Sequence, residues 1–284
     1  MPQFTFADVF AGIGGFRIAA EHYGGICNHT VEIKKHALAV YSSNFGNTPP
    51  VDIEQLKPSD IPQSEFVFAG WPCQPFSQIG QHKGYHDKTQ GTLFFHLVNY
   101  LAHAKPKYFI LENVRGLVSK EKDFEVVLDN LQSVLEYTVH YKVIKASDAG
   151  FPQNRPRVYL VGYKGDEEFE WPRNEDLLLT MSNVLKGECP RDIGFTLREG
   201  GKHSPIDDRR NWDGYWVNGK EHRLTFDEAK LMQGFSTKFT KPDTMSDSIG
   251  IALLGNSVSI PVVKSILVQL LFVRERQIGK SSTQ

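Results

Sequence analysis

The chain is poor in cysteine. Its 284 residues include three, Cys27, Cys73 and Cys189; no two stand at metal-ligand spacing, and an odd number closes no disulfide framework. Reduced thiols and an intracellular, cytoplasmic setting are the expectation. A basic excess is also lacking: 32 Lys and Arg against 33 Asp and Glu leave a net charge of −1. Any nucleic-acid contact must therefore rest on a local cluster of cations rather than on an overall field. The opening residues, MPQFTFADVFAGIGG, have neither the basic segment nor the cleavage site of a secretory leader. The longest apolar run, VVKSILVQLLFV, is interrupted by Lys264 and Gln269, and it reads as a packed helix rather than a bilayer span. No membrane is expected. His82, His86 and His96 have no third partner at ligand spacing, so no metal is expected either. Internal repeats and low-complexity tracts are missing.

What remains is an alternation. FTFADVF, ICNHTVEI, EFVFAG, KYFILENV, TVHYKVIKASD and RVYLVGYK read as strands; FRIAAEHYG, KHALAVYSSNFG, GTLFFHLVNYLAHA and DFEVVLDNLQSVLEY, set among them, read as helices. That order predicts an α/β fold, a Rossmann-like, doubly wound and mostly parallel sheet, with ligands at the carboxyl ends of its strands. The pattern breaks after Gly165. Residues 170–222 are rich in Gly, Pro, Asp and Arg with little periodicity, and helical spacing returns at TFDEAKLMQGF and at 261–275. The expected division is a catalytic and cofactor-binding domain over 1–168, a small irregular lobe over 169–222, and a return to the first domain over 223–284.

Between the first strand and first helix lies FAGIGGF. Gly12, Gly14 and Gly15 permit a tight turn and a close approach to a ligand at the helix N-terminus. Glu32 ends the next strand, where a carboxylate can accept both hydroxyls of a ribose; Asp52 follows, placed to accept an adenine amine. Solvated strand-end carboxylates are the plainer alternative. Together these features favour an adenosine-containing cofactor and leave NAD and S-adenosylmethionine both open. Arg17 stands where a dinucleotide fingerprint needs its third glycine, which counts against NAD.

Three chemistry-bearing groups then fall near strand ends: Cys73 in GWPCQP, Glu112 in LENV, and Arg155 and Arg157 in QNRPR. Pro72 and Pro75 restrict Trp71 and Gln74 to extended geometry, so the thiol is aimed. A free thiol, with a pKa of about 8.5, is only slightly ionised near neutrality and needs positive neighbours to become a good nucleophile. For Cys27 and Cys189 a buried structural role is the simpler reading. The arginines can equally be a structural cluster.

These blocks in this order resemble the DNA (cytosine-5)-methyltransferases: DVFAGIGGFR, GWPCQPFS, GTLFF, ENV, QNRPRVYLVG, RLTFDEAKLMQGF and GNSVSIPV, running from residue 8 to about 262. The resemblance implies a class I S-adenosylmethionine-dependent methyltransferase that flips a cytosine out of double-stranded DNA, methylates C5 and releases S-adenosylhomocysteine. It implies Cys73 as the nucleophile at C6, Glu112 at N3 and the exocyclic amine, and Arg157 at O2, with Arg155 and Gln74 beside them. It implies Phe10, Ala11, Gly12, Gly14, Gly15, Glu32, Ile33, Asp52, Ile53, Gly70, Pro72, Asn256 and Ser257 around the donor. Ile33 and Lys34 depart from the aromatic and acid common in relatives.

The lobe, with Thr196–Leu197 matching a family pair, is the expected DNA reader. Its candidate contacts are Arg198, Gly200, Gly201, Lys202, His203, Arg209, Arg210, Asn211 and Tyr215, joined by Ser77 and Gln78 from the loop after Cys73. That polar loop, SQIGQHKGYHDKTQG, is expected to close over DNA. The family setting implies restriction–modification, a cognate restriction endonuclease sharing the site without stable binding, and a monomer on DNA. RNA cytosine methylation is the rival within the same chemistry. A non-catalytic DNA- or cofactor-binding module and a nicotinamide oxidoreductase are rivals from other classes.

Overall fold

The computed structural model describes residues 3–72, 93–200 and 203–281. Strand β1 (Phe4–Val9) leads through the glycine turn into α1 (Gly15–His22), β2 (Gly25–Val31) and α2 (Lys35–Phe45). After β3 (Phe66–Gly70) come α3 (Leu93–Ala104), β4 (Tyr108–Val114) and α4 (Glu121–Asp129), which continues as a π turn over Asn130–Val134. Strands β5 (Thr138–Ile144) and β6 (Arg157–Tyr163) finish the main sheet, in the order β2-β1-β3-β4-β6-β5.

The chain moves from β1 to β2 on one side and crosses back to β3 on the other. A crevice therefore opens where the strand order reverses, at the carboxyl ends. Of the strand pairs, β1/β2, β1/β3 and β3/β4 are parallel, while β6 runs antiparallel to both β4 and β5. The sheet is thus mostly parallel, with one reversed strand.

Burial follows the period-2 pleat on both faces. Phe66 and Phe68 pack with Phe4, Phe6, Tyr108 and Ile110 on one side, and Val67 and Ala69 pack with Val98, Leu101, Phe109 and Leu111 on the other. That is why β3 and β4 read as unbroken apolar runs. The second face of the first cluster comes from α8 (Ile260–Ser281), whose Val262, Val263, Ile266, Leu267, Leu270 and Leu271 recur at helical spacing and are wholly buried. Helix α8 packs against α1, and Arg274 Nη2 donates to Gln3 O beside the start of β1.

Before α8 lie α5 (Met181–Leu185), a hairpin of β7 (Gly214–Val217) and β8 (Lys220–Arg223), α6 (Phe226–Met232) and α7 (Asp247–Asn256). The hairpin turns at Asn218 and Gly219, both at positive φ (49° and 75°), the geometry an Asn-Gly pair favours. Helix α7 is absent from the sequence expectation. Ser246 caps it, its hydroxyl accepting from Ile249 N–H, but Gly250 and Gly255 mask its periodicity. Residues 247–280 reach the length and mean hydropathy of a membrane span by composition alone. The stretch is instead two core helices, α7 and α8, and 61% of its apolar window is buried inside the fold.

One buried charge in the sheet yields a stability prediction. Asp8, fully buried in β1, receives one long bond from Tyr41 Oη (3.5 Å), and its Oδ1 has no hydrogen-bond partner among the described residues. Burial lifts its pKa well above the carboxylate range, outweighing the pull of Arg17. A group whose folded pKa exceeds its unfolded value contributes stability that is complete below the unfolded pKa, about 3.9, and lost as pH rises through the folded one. Asp8→Asn is expected to exceed the parent in stability at pH 8 by about 1–3 kcal/mol, the desolvation cost of such a group, and to lose that advantage near pH 4. Urea unfolding at pH 4, 6 and 8 checks this; an advantage that persists unchanged into acid contradicts it.

Candidate active site

After β1 the backbone turns through Phe10 (φ 56°), Gly12 (φ 55°) and Gly14 (φ 88°), the N-cap of α1. Gly14 is bound to its identity twice: its positive φ favours glycine, and a Cβ there would lie 2.3 Å from the Phe45 ring. Phe10 holds an uncommon backbone conformation for a side chain of its size, the kind of strain found at ligand sites.

Glu32, just past β2, is locked by the main chain. Its Oε2 accepts from Gly12 N–H (2.9 Å) and its Oε1 accepts from the N–H groups of Ile33 and Lys34 (both 2.8 Å). Two carboxylate oxygens offer about four acceptor positions, so capacity remains for a ligand hydroxyl. Asp52 is steadied in the same way, accepting from Glu54 N–H (3.0 Å) and Gln55 Nε2 (3.1 Å). Val51 N–H donates to Glu32 O and ties the two segments together.

A cavity of about 410 Å³ runs from these acids across the sheet edge to Glu112 and Arg157, passing Phe10, Ile33, Ile53, Gly70 and Pro72 and reaching Asn256. The volume lies within the range of small-molecule sites, roughly 300–1,000 Å³. Glu112 sits opposite Gly70 in the β3/β4 register, and Arg157 opposite Val114 in the β4/β6 register. Because β6 is reversed, it presents its first residue where its neighbours present their last. Glu112 Oε1 lies 3.0 Å from Arg157 Nε, an ion-pair contact without hydrogen-bond alignment. Burial pushes the Glu112 carboxyl pKa up, and the nearby Arg157 and Arg155 only partly offset this. The site therefore pairs an acid of raised pKa with a nearby cation.

Asn113 is a site residue to which the sequence reading gave no role. Its Nδ2 donates to Trp71 O (3.0 Å) while its Oδ1 accepts from Val114 N–H. Trp71 is buried and packs against Phe94 (centroids 5.6 Å apart). The chain is thus pinned two residues before Cys73. The available signal was a polar residue inside the otherwise buried strand YFILENV. Leu253, which also lines the cavity, belongs to the unforeseen α7.

Arg155 also lines this cavity, yet it is 2% exposed and gives its guanidinium to three main-chain carbonyls: Leu197 O, Gly255 O and Ser257 O. Several other expected site residues stand elsewhere. Ala11, Gly14, Gly15 and Ser257 shape the turn without lining the cavity; a Cβ on Gly15 would meet Ser257 Oγ at 2.7 Å. Tyr215, expected to reach DNA, is buried, its hydroxyl accepting from Phe195 N–H and donating to Trp212 O. Asn211 is buried as well, bonded to Ile206 O and Gly214.

Arg198, Gly200, His203, Arg209 and Arg210 are exposed, and Arg210 pairs with Asp208. Arg198 borders a second, shallower cavity of about 400 Å³ with Arg115, Arg157 and Asn256. Cys73, Gln74, Ser77, Gln78, Gly201 and Lys202, and the loop expected to close over DNA, lie outside the described residues.

Comparison with known proteins agrees with this geometry. A family model described as C-5 cytosine-specific DNA methylase matches residues 4–190. The Type II methyltransferase M.HaeII of Haemophilus aegyptius is 34% identical over 301 residues, covering 94% of this chain and 92% of the relative. The Type II methyltransferase M.HhaI of Haemophilus parahaemolyticus is 32% identical, covering 92% of each. Among solved structures, a methyltransferase of Entamoeba histolytica, EhMeth, superposes with a TM-score of 0.72 at 20% identity, covering 95% of this chain and 98% of the other. A prophage-encoded DNA modification methyltransferase of E. coli gives 0.72 at 19%, covering 96% and 99%. At those identities the structural likeness speaks for the fold.

Proposed function

The chain belongs to the C-5 cytosine-specific DNA methylases, and from that premise we propose that it carries a methyl group from S-adenosylmethionine to C5 of a cytosine flipped out of a short duplex site. The observation that carries this reading is that one cavity has two fixed carboxylates at one end and a buried acid–cation pair at the other. Glu32 would hold the donor's ribose, Asp52 its adenine amine, and Asn256 the methionine end. Bound S-adenosylmethionine supplies an electrophilic methyl group.

The remaining steps belong to side chains. Cys73 thiolate adds to C6 of the ring, breaking its aromaticity and loading electron density onto C5. Glu112, whose pKa burial raises, gives its proton to N3 as that density builds. Arg157 opposes the negative charge developing at O2. C5 then takes the methyl group, its proton passes to water as the thiolate is expelled, and N3 returns its proton to Glu112, which restores the ring. Arg198, His203 and Arg209 are the exposed groups best suited to phosphates and base edges.

The test is to incubate the protein with S-adenosylmethionine and mixed-sequence duplex, then map modified bases by bisulfite sequencing. The expected product is 5-methylcytosine confined to one short sequence. Product on RNA alone, or none, overturns the reading. The restriction–modification role predicts that the methylated duplex resists an endonuclease cutting that same sequence.

Donor binding gives a sharper prediction. Glu32→Gln is expected to weaken S-adenosylhomocysteine binding by roughly 10- to 100-fold, the worth of a charge-assisted bond to a ribose hydroxyl. Titration calorimetry without DNA checks it, and an unchanged Kd removes Glu32 from the ribose site.

A further inference from the structure

Gln153, Arg155 and Gln233 are polar side chains almost wholly withdrawn from water, exposed by 0%, 2% and 0%. Such groups persist only where hydrogen bonds offset the lost hydration, and here most of the partners are main-chain atoms. Gln153 Oε1 accepts from Leu197 N–H (3.2 Å) and Arg155 Nη1 donates to Leu197 O (3.3 Å). Both backbone groups of one lobe residue are therefore gripped by two side chains of the segment that leads into β6.

The same trio grips the wall of the donor cavity. Arg155 Nη2 donates to Gly255 O (2.8 Å) and Ser257 O (2.7 Å), bracketing Asn256. Gln233 Nε2 donates to Leu254 O (2.7 Å) and Ser257 O (3.3 Å), and Gln153 Nε2 donates to Gln233 Oε1 (3.2 Å). Van der Waals contact adds to the connection: a Cβ on Gly255 would fall 3.1–3.2 Å from the Arg198 backbone.

We propose that Gln153, Arg155 and Gln233 act as a positioning unit that couples target reading to donor binding, by holding Leu197 and its neighbours Thr196 and Arg198 at a fixed offset from the turn Gly255–Ser257. The inference deepens the methyltransferase reading and rests on it. None of the three side chains needs to touch the reacting atoms; each acts through the backbone it holds. Arginine suits the central place because its planar fork reaches several carbonyls at once, whereas lysine is a single point of charge. Burial pulls the Arg155 guanidinium down to about 9, which leaves it charged at neutral pH. When donor binding tightens the Asn256 turn, the bonded carbonyls transmit that restraint to Leu197, and in the reverse direction a correctly seated duplex stiffens the donor wall, as linkage requires.

The experiment uses the full chain, with Arg155→Lys and Gln153→Met as variants and S-adenosylhomocysteine as probe. Hydrogen exchange is followed on peptides covering residues 194–200, with and without the probe. In the parent the probe is expected to slow exchange at Leu197 by about fivefold or more; in either variant this transmitted protection falls below about twofold. The variants' S-adenosylhomocysteine Kd rises roughly tenfold, and their discrimination between the mapped site and a one-base variant of it drops roughly tenfold. A residue that merely stabilises the fold lowers the melting temperature and leaves both the transmitted protection and the discrimination intact. Full transmission of protection in Arg155→Lys, or none in the parent, overturns the proposal. Should Arg155→Lys melt below the assay temperature, Gln153→Met carries the same readout. The exchange arm decides the coupling whether or not methylcytosine forms; absence of methylcytosine from the parent's product overturns the methyltransferase reading instead.

Discussion

A Cys73→Ser variant is expected to lose methyl transfer by roughly 10³-fold or more, on the scale seen when a covalent nucleophile is removed. Serine keeps the volume and the hydrogen bonding, but its oxygen is far less ionised than a thiol at neutral pH. The approach to this residue is well fixed: Trp71 is buried against Phe94, and its carbonyl accepts from Asn113 Nδ2. Pro72 then limits the directions the chain can take. Two readouts separate chemistry from binding. Tritium transfer from labelled donor should collapse, whereas S-adenosylhomocysteine affinity should stay within about twofold, because Glu32 and Asp52 are untouched. A duplex carrying 5-fluorocytosine at the target should form a denaturant-resistant adduct with the parent and none with the variant. A serine variant that keeps a tenth of the parent rate would remove the thiol from the mechanism.

Glu112→Gln is expected to lower turnover by roughly 10²- to 10⁴-fold, the usual range for a general acid, with little change in donor affinity. Glutamine can still donate a hydrogen bond to N3, but it has no proton to deliver. The pH dependence carries the sign. Burial raises the Glu112 pKa, so the protonated, competent form persists above the ordinary carboxylate range and is lost as pH rises through the folded value. The parent's rate should therefore show an alkaline decline set by Glu112, and the variant should lack it. Stability runs in the same sense: the neutral glutamine gains on the parent toward alkaline pH, where the parent must bury a charged carboxylate beside Arg157. A variant whose residual rate keeps the parent's full pH profile would mean that another group supplies the proton.

The residues that announce themselves in the sequence are those whose chemistry is local. Gly12 and Gly14 are demanded by the turn they form, and Glu32 by the end of the strand it leaves. Glu112 stands out because a carboxylate inside YFIL-type apolar sequence has few structural excuses. The alternation of strands and helices was legible for the same reason, each element repeating a period over its own length. What could not be read is what distant segments decide. Arg155 has a reactive residue's look beside Arg157, yet its partners Gly255 and Ser257 are 100 and 102 positions away. Tyr215 looks like a loop residue until the hairpin β7–β8 folds it inward. Helix α7 was hidden because its glycines weaken the local signal while serving close packing against Phe226 and Arg198.

The reversed strand has an evolutionary consequence. Entering the sheet at the catalytic edge with Arg157 and leaving at the far edge with Tyr163, β6 sends the chain away from the chemistry before the lobe begins. The polypeptide rejoins the working edge through noncovalent attachment, with Gly194 bridged to Gln153 and Leu197 clasped on both sides. Everything between is a cassette. On the function proposed above, it can lengthen, shorten or be exchanged for one with another appetite for sequence, and the strand ends that would alter the base need not notice, provided the clasp re-forms.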